Sequence, residues 1–504
     1  MGMKTWLCLL LVVIAGQARA DWLIKNATVV DGTGAPPRTA DVAVRAGRIA
    51  AIGKLTAQSG DQVFDAKGLV LAPGFIDAHS HHDRGLSEQP DAVAAVSQGI
   101  TTIVVGMDGG SELPLADWLT TLERSPTAIN VASFSGHGTL RRAAMGTDYK
   151  RHARADELQR MNALLATDMQ AGSLGLATGL EYDPGIYSNT DEVVQLSRVA
   201  SQYGGAYVSH MRSEDVAIDD ALAELATIAR EAKIPAHISH LKLALLDRWG
   251  QMPQLLQRLD AWRAQGLDIT VDAYPYTYWH SGLTVLFPKR DFTDLEAARY
   301  VLAHTTPADG LILAHFTPQP AYIGKNLEQI AKERGTSPEQ TLLDLIHMAY
   351  PDGNTDVEDD RESIMGRSMR EDDIAAIFAW PHTTICSDGE LDGGHPRGYG
   401  AFTRYLHMYG LKGTPESLSS AVHRMTGMTT EQYHLGDRGR IAERLPADLV
   451  LFDPAHVQDR STIEKPHEVS AGIRSVWVNG ELVWDGTKAT GARPGEVVRR
   501  AKKR

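Results

Sequence analysis

Cysteine is almost absent from this sequence. Its 504 residues include only Cys8 and Cys386, which rules out a framework of disulfides. Cys8 lies in the leader predicted below, so the mature chain would keep a single thiol and no intramolecular disulfide. Cys386 ends the apolar run Thr384-Ile385-Cys386, and we expect it to pack as a small buried side chain rather than to react.

The sequence also lacks an excess of positive charge and an apolar run long enough to span a bilayer. Its formal net charge is −13, which disfavours nucleic acid and anionic membranes as partners. The apolar stretch at residues 7–15 is too short for a transmembrane helix. Because Lys4 precedes it and Ala18-Arg19-Ala20 follows it, it matches a signal peptide cleaved near Ala20. We therefore expect residues 1–20 to be removed and the protein to be periplasmic or secreted.

Several catalytic motifs are missing. The chain contains no His-Glu-x-x-His motif and no phosphate-binding Gly-x-x-x-x-Gly-Lys loop. The segment Ala171-Gly172-Ser173-Leu174-Gly175 only half-resembles a nucleophile elbow, because alanine replaces its first glycine. Covalent serine catalysis is therefore disfavoured.

The pattern of apolar segments predicts an α/β protein with two parts. Short strands and turns occupy residues 21–70 and 435–490, and together they could form a small β-sandwich that neither segment could form alone. Between them, residues 71–434 alternate strands with helices, which favours a (β/α)8 TIM-like barrel with parallel strands. Residues 491–504 end in several Lys and Arg residues, and we expect a loose, solvated basic tail.

The segment Pro73-Gly74-Phe75-Ile76-Asp77-Ala78-His79-Ser80-His81 carries the strongest chemical signal. Side chains alternate along a strand, so His79 and His81 project to the same side while His82 points away. Two imidazoles together at the end of a buried strand form half of a metal site. A lone histidine at this point would indicate only a polar loop. Two histidines on the same side of a strand end are not explained by a polar loop.

Four further polar residues follow apolar strands, where barrel enzymes place catalytic groups. They are Asp108, His210, His240 and Asp388. Each alone is a weak signal, since a histidine after a strand is often a hydrogen-bonded packing residue. Imidazole and carboxylate together are ligands suited to Zn²⁺ or a similar divalent ion. His237 faces the opposite way from His240 and is interpreted as structural.

These motifs resemble those of the amidohydrolase superfamily and, more narrowly, of the N-acyl-D-amino-acid deacylases (D-aminoacylases). The resemblance covers residues 22–486 and extends to segments such as Gly136-His137-Gly138, Gly179-Leu180-Glu181-Tyr182, Tyr274-Pro275-Tyr276 and His395-Pro396-Arg397. It implies a metal centre at the carboxyl ends of the barrel strands, with one or two ions, Zn²⁺ or another divalent metal. The ligands it implies are His79, His81, His210, His240 and Asp388.

Asp108 departs from the family pattern. Family members normally present Asn-Cys-Gly at this point, with the thiolate as a ligand, whereas this chain has Met107-Asp108-Gly109. Asp108 could replace sulfur with a harder oxygen donor and shift the metal preference. It could equally be a loop aspartate that caps the turn.

The resemblance implies hydrolysis of the amide bond of a small N-acyl-amino acid, with the D configuration expected. Asp388 would act as the general base and pass its proton to the leaving amine. Arg397 would bind the α-carboxylate, and Tyr276 and Tyr182 resemble positions near that carboxylate, although both could be ordinary aromatics of the barrel rim. Alternatives are the same scaffold acting on a cyclic amide, lactone or dipeptide, and a non-catalytic exported binding protein.

Overall fold

The structure is a computed structural model that describes residues 21–355, 361–412 and 415–501. It contains twenty strands in these ranges. The predicted signal peptide at residues 1–20 lies outside the described residues. The strands are β1 (Trp22–Val29), β2 (Arg38–Arg45), β3 (Arg48–Gly53), β4 (Gln62–Asp65), β5 (Val70–Pro73), β6 (Phe75–Asp77), β7 (Ile100–Val105), β8 (Asn130–Ser133), β9 (Ser135–Gly136), β10 (Gly175–Gly179), β11 (Ala206–His210), β12 (Ala236–Ile238), β13 (Ile269–Ala273), β14 (Tyr278–Ser281), β15 (Leu311–Phe316), β16 (Glu362–Arg367), β17 (Thr383–Ile385), β18 (Leu449–Phe452), β19 (Ile473–Val478) and β20 (Glu481–Trp484).

Helices alternate with these strands through the middle of the chain. They are α1 (Val93–Val96), α2 (Leu115–Arg124), α3 (His137–Met145), α4 (Ala155–Ala171), α5 (Thr190–Gln202), α6 (Ile218–Ala232), α7 (Met252–Ala264), α8 (Leu295–His304), α9 (Leu327–Arg334), α10 (Pro338–Ala349), α11 (Glu371–Ala379), α12 (Arg397–Tyr405), α13 (Pro415–Arg424) and α14 (Gly427–Tyr433). Within the described ranges, no helix combines the length and apolar character needed to cross a bilayer.

Parallel strands close into a barrel. β6, β7 and β8 pair side by side, and β9, β10, β11, β12, β13 and β17 continue in that order, with β8 and β9 as two parts of one extended stretch. The ring closes between the last strand and the first, because Ala78 N donates to Ile385 O at 3.2 Å and Asp388 N donates to His79 O at 2.9 Å. The predicted (β/α)8 barrel is confirmed.

The barrel strands are apolar on both faces because helices cover the outside and side chains fill the inside. All six residues of β7, Ile-Thr-Thr-Ile-Val-Val, are buried, as expected of a strand in a parallel sheet. The inside holds its own apolar cluster, which includes Ile76, Val104, Ala132, Ala177 and Val208. Cys386, directly after β17, is fully buried and has no disulfide partner among the described residues.

Strands from both ends of the chain build the small β domain. Its hydrogen bonds join eight strands into one mixed sheet in the order β20-β19-β18-β5-β1-β2-β3, with β4 also paired to β1. Its core includes Ile24, Val42, Leu71, Leu449 and Trp477. The two terminal segments, for which the sequence predicted a small β-sandwich, therefore combine into one mixed β-sheet domain.

An additional subdomain interrupts the barrel between β13 and β17. It contains the antiparallel sheet β14-β16-β15 and the helices α8, α9 and α10. Its first segment, from β14 to a 3₁₀ turn at Leu283–Leu286, contributes one wall of the pocket described below.

The C-terminal segment is docked, not loose, so the expectation of a solvated tail is wrong for residues 492–501. Val498 is 7% exposed and packs into the barrel's interior cluster. Its N–H donates to Val131 O at 2.8 Å, and Ala501 N donates to His434 O at 2.9 Å. The apolar side chain of Val498 and these backbone hydrogen bonds outweigh the charge of the neighbouring arginines. Residues 502–504 lie outside the described residues.

Candidate metal centre

Six side chains selected from the sequence lie at one end of the barrel. Each follows or ends a strand at its carboxyl end: His79 and His81 after β6, Asp108 after β7, His210 at the end of β11, His240 after β12 and Asp388 after β17. Parallel strands all present this end to the same face of the barrel. Residues that are far apart in sequence are thereby brought together.

One group of potential ligand atoms comprises His79, His81, Asp108 and Asp388. His81 Nε2 lies 3.4 Å from His79 Nε2, 3.2 Å from Asp108 Oδ2 and 3.4 Å from Asp388 Oδ1. His79 Nε2 is 3.5 Å from Asp388 Oδ1. Two imidazoles and two carboxylates therefore face one small volume, with their donor atoms close enough to share one ion.

A second group comprises Asp108, His210 and His240. His210 Nδ1 is 3.1 Å from His240 Nε2, and His240 Nε2 is 3.6 Å from Asp108 Oδ1. Asp108 belongs to both groups, with Oδ2 towards His81 and Oδ1 towards His240. Of the two alternatives left open for Asp108, this position fits a shared carboxylate donor, because the side chain points at the imidazoles rather than capping its own turn.

The backbone that carries these groups is unusual. Asp108, His240 and Asp388 have φ values of +53°, +33° and +48°, a region that residues other than glycine rarely adopt. Such strain clusters at functional sites, where the surrounding structure holds it in place. Here the tight turns after β7, β12 and β17 direct three donor side chains back over the barrel mouth.

The electrostatics of the cluster favour bound positive charge. Burial alone would lower the pKa of His81 and of His240, but neighbouring carboxylates raise the first to about 9 and the second to about 10. Burial would likewise raise the pKa of Asp108, yet the imidazoles of His79, His81 and His240 hold it well below its usual range. Buried carboxylates among imidazoles are an environment in which a divalent cation replaces protons.

Buried polar atoms without hydrogen-bond partners also indicate a cation site. Within the described part of the chain, His79 Nδ1 and Asp108 Oδ1 are buried without a hydrogen-bond partner. Orphaned polar atoms at a buried site call for an ion or water. The donor set contains only nitrogen and oxygen, which suits zinc and similar divalent metals.

Arg397, predicted to bind a substrate carboxylate, lies beside Asp388. Its Nη1 is 2.5 Å from Asp388 Oδ2, and its guanidinium carbon lies 4.8 Å from the centre of the Tyr274 ring. The side chain is 4% exposed, and its Nε has no hydrogen-bond partner among the described residues. A buried guanidinium with a free donor lies directly next to the candidate base.

The two predicted tyrosines have different outcomes. A pocket opens beside these groups, and its lining includes His210, His240, Asp388 and Arg397. Tyr182 also lines this pocket, and its ring centre lies 4.4 Å from that of His210. Tyr276 does not belong to that lining, and its hydroxyl donates to Asp459 Oδ2 at 3.4 Å; its contact with substrate stays a prediction. Tyr274 lines the pocket and lies against the guanidinium of Arg397.

Three charged residues in the pocket were not selected from the sequence. Glu181 Oε2 is 2.8 Å from His210 Nε2, and Lys242 Nζ donates to both oxygens of Glu214 at 2.7 and 2.6 Å. Glu181, His210 and Glu214 form a further group of potential ligand atoms. Their spacing in the sequence could have indicated two of them. Glu214 follows His210 by four residues, and Lys242 follows His240 by two.

Two further histidines and an arginine lie behind the site. His137 Nε2 is paired with Glu192 at 2.8 Å, and Arg212 is paired with Glu224. His237 Nε2 is 2.7 Å from Asp272, whose other oxygen accepts from His240 N. The structural interpretation of His237 is consistent with this position, since it supports the turn that carries His240.

Comparison with known proteins agrees with this geometry. The model of the amidohydrolase family matches residues 62–308 and 320–484. The chain is 36% identical to D-aminoacylase of Alcaligenes xylosoxydans xylosoxydans, over 95% of this chain and 98% of the relative. It is also 36% identical to N-acyl-D-aspartate deacylase of the same organism, over 95% of each chain.

A solved structure shares both the fold and the sequence similarity. It is N-acyl-D-glutamate deacylase from Bordetella bronchiseptica in complex with zinc and a phosphonate inhibitor, with a TM-score of 0.85, 33% identity and coverage of 95% of this chain and 100% of that chain. With the barrel and the converging donor atoms, these matches show that the chain belongs to the N-acyl-D-amino-acid deacylase (D-aminoacylase) family of the amidohydrolase superfamily and is a hydrolase of C–N amide bonds.

Proposed function

We propose that the protein is an exported, zinc-dependent deacylase that hydrolyses N-acyl-D-amino acids to a carboxylic acid and a free D-amino acid. The observation that carries this proposal is the position of Asp388. One carboxylate oxygen faces the imidazoles of His79 and His81, and the other faces Arg397. A hydrolytic group and an anchor for a substrate carboxylate are thereby adjacent.

The donor set fits a divalent metal at two positions. His79, His81 and Asp388 would hold one ion, His210 and His240 would hold another, and Asp108 would contribute to both. A bound zinc ion supplies Lewis acidity and lowers the pKa of the water that it holds to about 7. The named activity of the relatives and the zinc complex of the N-acyl-D-glutamate deacylase support this assignment.

Asp388 is suited to move the proton. Burial would raise the pKa of its carboxyl, but Arg397, His240, His81 and His79 hold it well below its usual range. It is therefore ionised at neutral pH and can accept the proton of the attacking water at a carboxylate oxygen. The same group then delivers that proton to the leaving nitrogen, which must be protonated before the C–N bond breaks.

Arg397 would bind the α-carboxylate of the substrate. Its Nε is buried without a partner among the described residues, and the Tyr274 ring holds the guanidinium plane. A cyclic amide or a lactone carries no such carboxylate, so this geometry favours the N-acyl-amino acid over those alternatives. A non-catalytic binding protein would have no need of an ionised carboxylate at a metal position.

The test is turnover by the zinc-loaded protein of N-acetyl-D-amino acids beside their L enantiomers. We expect hydrolysis of the D forms only. Asp388→Asn should lower kcat by about 1,000-fold, and Arg397→Met should raise KM with a smaller effect on kcat, because it removes an anchoring contact. No turnover of any N-acyl-amino acid at full metal content would refute the proposal.

Export has its own test. The leader at residues 1–20 supports it, with its basic start, short apolar run and Ala-x-Ala end. Mass spectrometry of the protein from fractionated cells should find a chain that begins at Asp21 outside the cytoplasm. An uncleaved chain confined to the cytoplasm would contradict this part of the proposal.

A further inference from the structure

The lysine and the arginine in the wall of the active-site pocket are each paired with a carboxylate. Two lining side chains carry a permanent positive charge, Lys242 and Arg397. Lys242 is 3% exposed and contacts both oxygens of Glu214, and Arg397 is paired with Asp388. Among the lining lysine and arginine side chains, only Arg397 keeps donor atoms without a hydrogen-bond partner in the described part of the chain, and one guanidinium suits one substrate carboxylate.

A third cation near the pocket is turned away from it. Arg290 Nε contacts Asp183 Oδ1 at 3.1 Å, and its Nη2 donates to the backbone carbonyl of Glu181 at 2.7 Å. The pocket wall also carries the carboxylates of Glu181 and Asp215. A second carboxylate on the substrate would therefore meet these carboxylates, and each lysine or arginine among the described lining residues already contacts a carboxylate.

Part of the wall is apolar, beside the polar side chains of His280, Ser281 and Thr305. The segment after β13 contributes Trp279, Val285 and Leu286, and the segment after His240 contributes Ala244. The indole N–H of Trp279 donates to Ser368 Oγ at 2.7 Å, so the polar atom of this ring is satisfied outside the pocket. Leu286 is 7% exposed and Trp279 is 9% exposed. These side chains form a surface that fits an uncharged apolar group.

We infer that the enzyme acts on N-acyl-D-amino acids whose side chain is uncharged and apolar, such as leucine or methionine, and discriminates against acidic and basic side chains. This inference rests on the proposed function and selects among its substrates. Sequence identity alone does not make this choice, because the relatives at 33–36% identity include both D-aminoacylase and deacylases of D-aspartate and D-glutamate derivatives.

The test compares kcat/KM across N-acetyl derivatives of D-leucine, D-methionine, D-glutamine, D-glutamate, D-aspartate and D-lysine. We expect D-leucine and D-methionine to exceed D-glutamate by at least about 100-fold, because burying an unpaired charge is costly. D-Glutamine has nearly the shape of D-glutamate without its charge, and we expect it to fall between them.

A variant that supplies the missing cation sharpens the test. Val285→Lys places a positive charge on the half-buried apolar wall, and we expect it to raise the D-glutamate to D-leucine ratio of kcat/KM by about 10-fold or more. The matched control is Val216→Lys, at a position that is 52% exposed and does not line the pocket, which should leave the ratio unchanged. The melting temperature and zinc content of each variant verify folding.

Inhibition gives a second readout that needs no turnover of the acidic compound. N-Acetyl-D-glutamate should inhibit D-leucine hydrolysis weakly in the unaltered enzyme and more strongly in Val285→Lys. Hydrolysis of acidic or basic substrates as fast as of D-leucine, or an unchanged ratio in a folded Val285→Lys, would overturn the inference and leave the proposed function intact. Failure of all substrates would instead refute the proposed function.

Discussion

The carboxylate of Asp108 lies between the two groups of potential ligand atoms, 3.2 Å from His81 Nε2 and 3.6 Å from His240 Nε2. Related enzymes are expected to carry a thiolate at this position. An oxygen donor is harder than sulfur and suits metals such as Mn²⁺ and Co²⁺ better than a thiolate does. We therefore expect this one side chain to influence both how many ions the site takes and which ions it prefers.

Replacing Asp108 should change metal binding directly. Asp108→Ala should lose at least one metal equivalent per chain and lower kcat/KM by at least about 100-fold, as measured by inductively coupled plasma mass spectrometry and by kinetics. Asp108→Cys loaded with Co²⁺ should show a thiolate charge-transfer band in the near ultraviolet that the unaltered protein lacks. Asp148→Ala, at a side chain that is 70% exposed, is the control, and unchanged metal content in Asp108→Ala would contradict this role.

Asp168 should make stability depend on pH. Burial raises its pKa to about 6, although hydrogen bonds from Ser135 and the Leu115 backbone act in the opposite direction. The folded protein therefore favours the protonated acid, and the cost of ionisation is absent below pH 4, grows between pH 4 and 6, and is complete above pH 6. Asp168→Asn removes that cost and should stabilise the fold by about 2 kcal/mol at pH 8.

The measurement for Asp168 is the shift in melting temperature at pH 8 and at pH 4.5. The gain from Asp168→Asn should be larger at pH 8. Asp156→Asn in the same helix α4 is the matched control, because its side chain is exposed and the hydrogen bond from Arg160 lowers its pKa. Equal shifts at the two pH values would mean that Asp168 is not held in its protonated form.

At the scale of elements, the turns that follow the barrel strands position the donors. Gly179, at the end of β10, packs against the turn after β7 so closely that a Cβ there would lie 2.1 Å from Asp108 O and 2.9 Å from Tyr182 Cδ2. The backbone of one strand end thus supports the strained turn of another.

Gly179→Ala should therefore displace Asp108 without unfolding the barrel. We expect a loss of bound metal and of activity by about 10-fold or more, while circular dichroism stays that of the native fold. Gly110→Ala is the matched control in the same turn, since its nearest contact would be Met107 O at 3.8 Å. Full metal content in Gly179→Ala would show that the turn can move without consequence.

Local signals predicted the elements well. Asn189 caps α5 by accepting from Glu192 N, and Asn479-Gly480, both with positive φ, form the β19–β20 hairpin. The donors after the strands could be predicted for the same reason, since strand alternation and strand ends are local features. The pairing of Lys242 with Glu214 could not, because it depends on how β11 and β12 lie side by side once the barrel has closed.

Long-range packing also limits what the sequence could predict. Composition does not distinguish Tyr274 from Tyr276, whereas in the structure the Tyr274 ring contacts Arg397 and the Tyr276 hydroxyl contacts Asp459. The C-terminal segment looked solvated because its charges dominate the local pattern. Its buried valine, Val498, packs against apolar side chains that come together only in the assembled barrel.

At the scale of the whole molecule, a buried polar network joins the β domain to the barrel. Asp448, just before β18, accepts from Asn130 of β8 at 3.1 Å and from Asn479 N at 2.7 Å, and it is paired with Arg438. Asn479 in turn donates to Pro494 O at 2.8 Å. The C-terminal part of the β domain and the segment that follows it are therefore held to the barrel by one shared set of contacts.

Val498 should be important for stability because its side chain packs into the apolar cluster inside the barrel. Val498→Asp would place a charge in an apolar interior and should destabilise the fold by about 3 kcal/mol or more, as measured by chemical denaturation. Deletion of residues 492–504 should have a larger effect. Val63→Asp, at a valine that is 54% exposed, should change stability by less than about 0.5 kcal/mol, and equal effects of the two substitutions would contradict this role.

The closure of the ring between β6 and β17 has a consequence for biosynthesis. His79 and His81 emerge early from the ribosome, whereas Asp388 follows only after nearly all of the barrel has been translated. A nascent chain therefore holds the two imidazoles and the carboxylate of Asp108 before the carboxylate of Asp388 has been made. The proposed set of ligands is complete only when the last barrel strand, β17, lies beside the first, β6. A bound ion would therefore also hold the first strand of the barrel to the last.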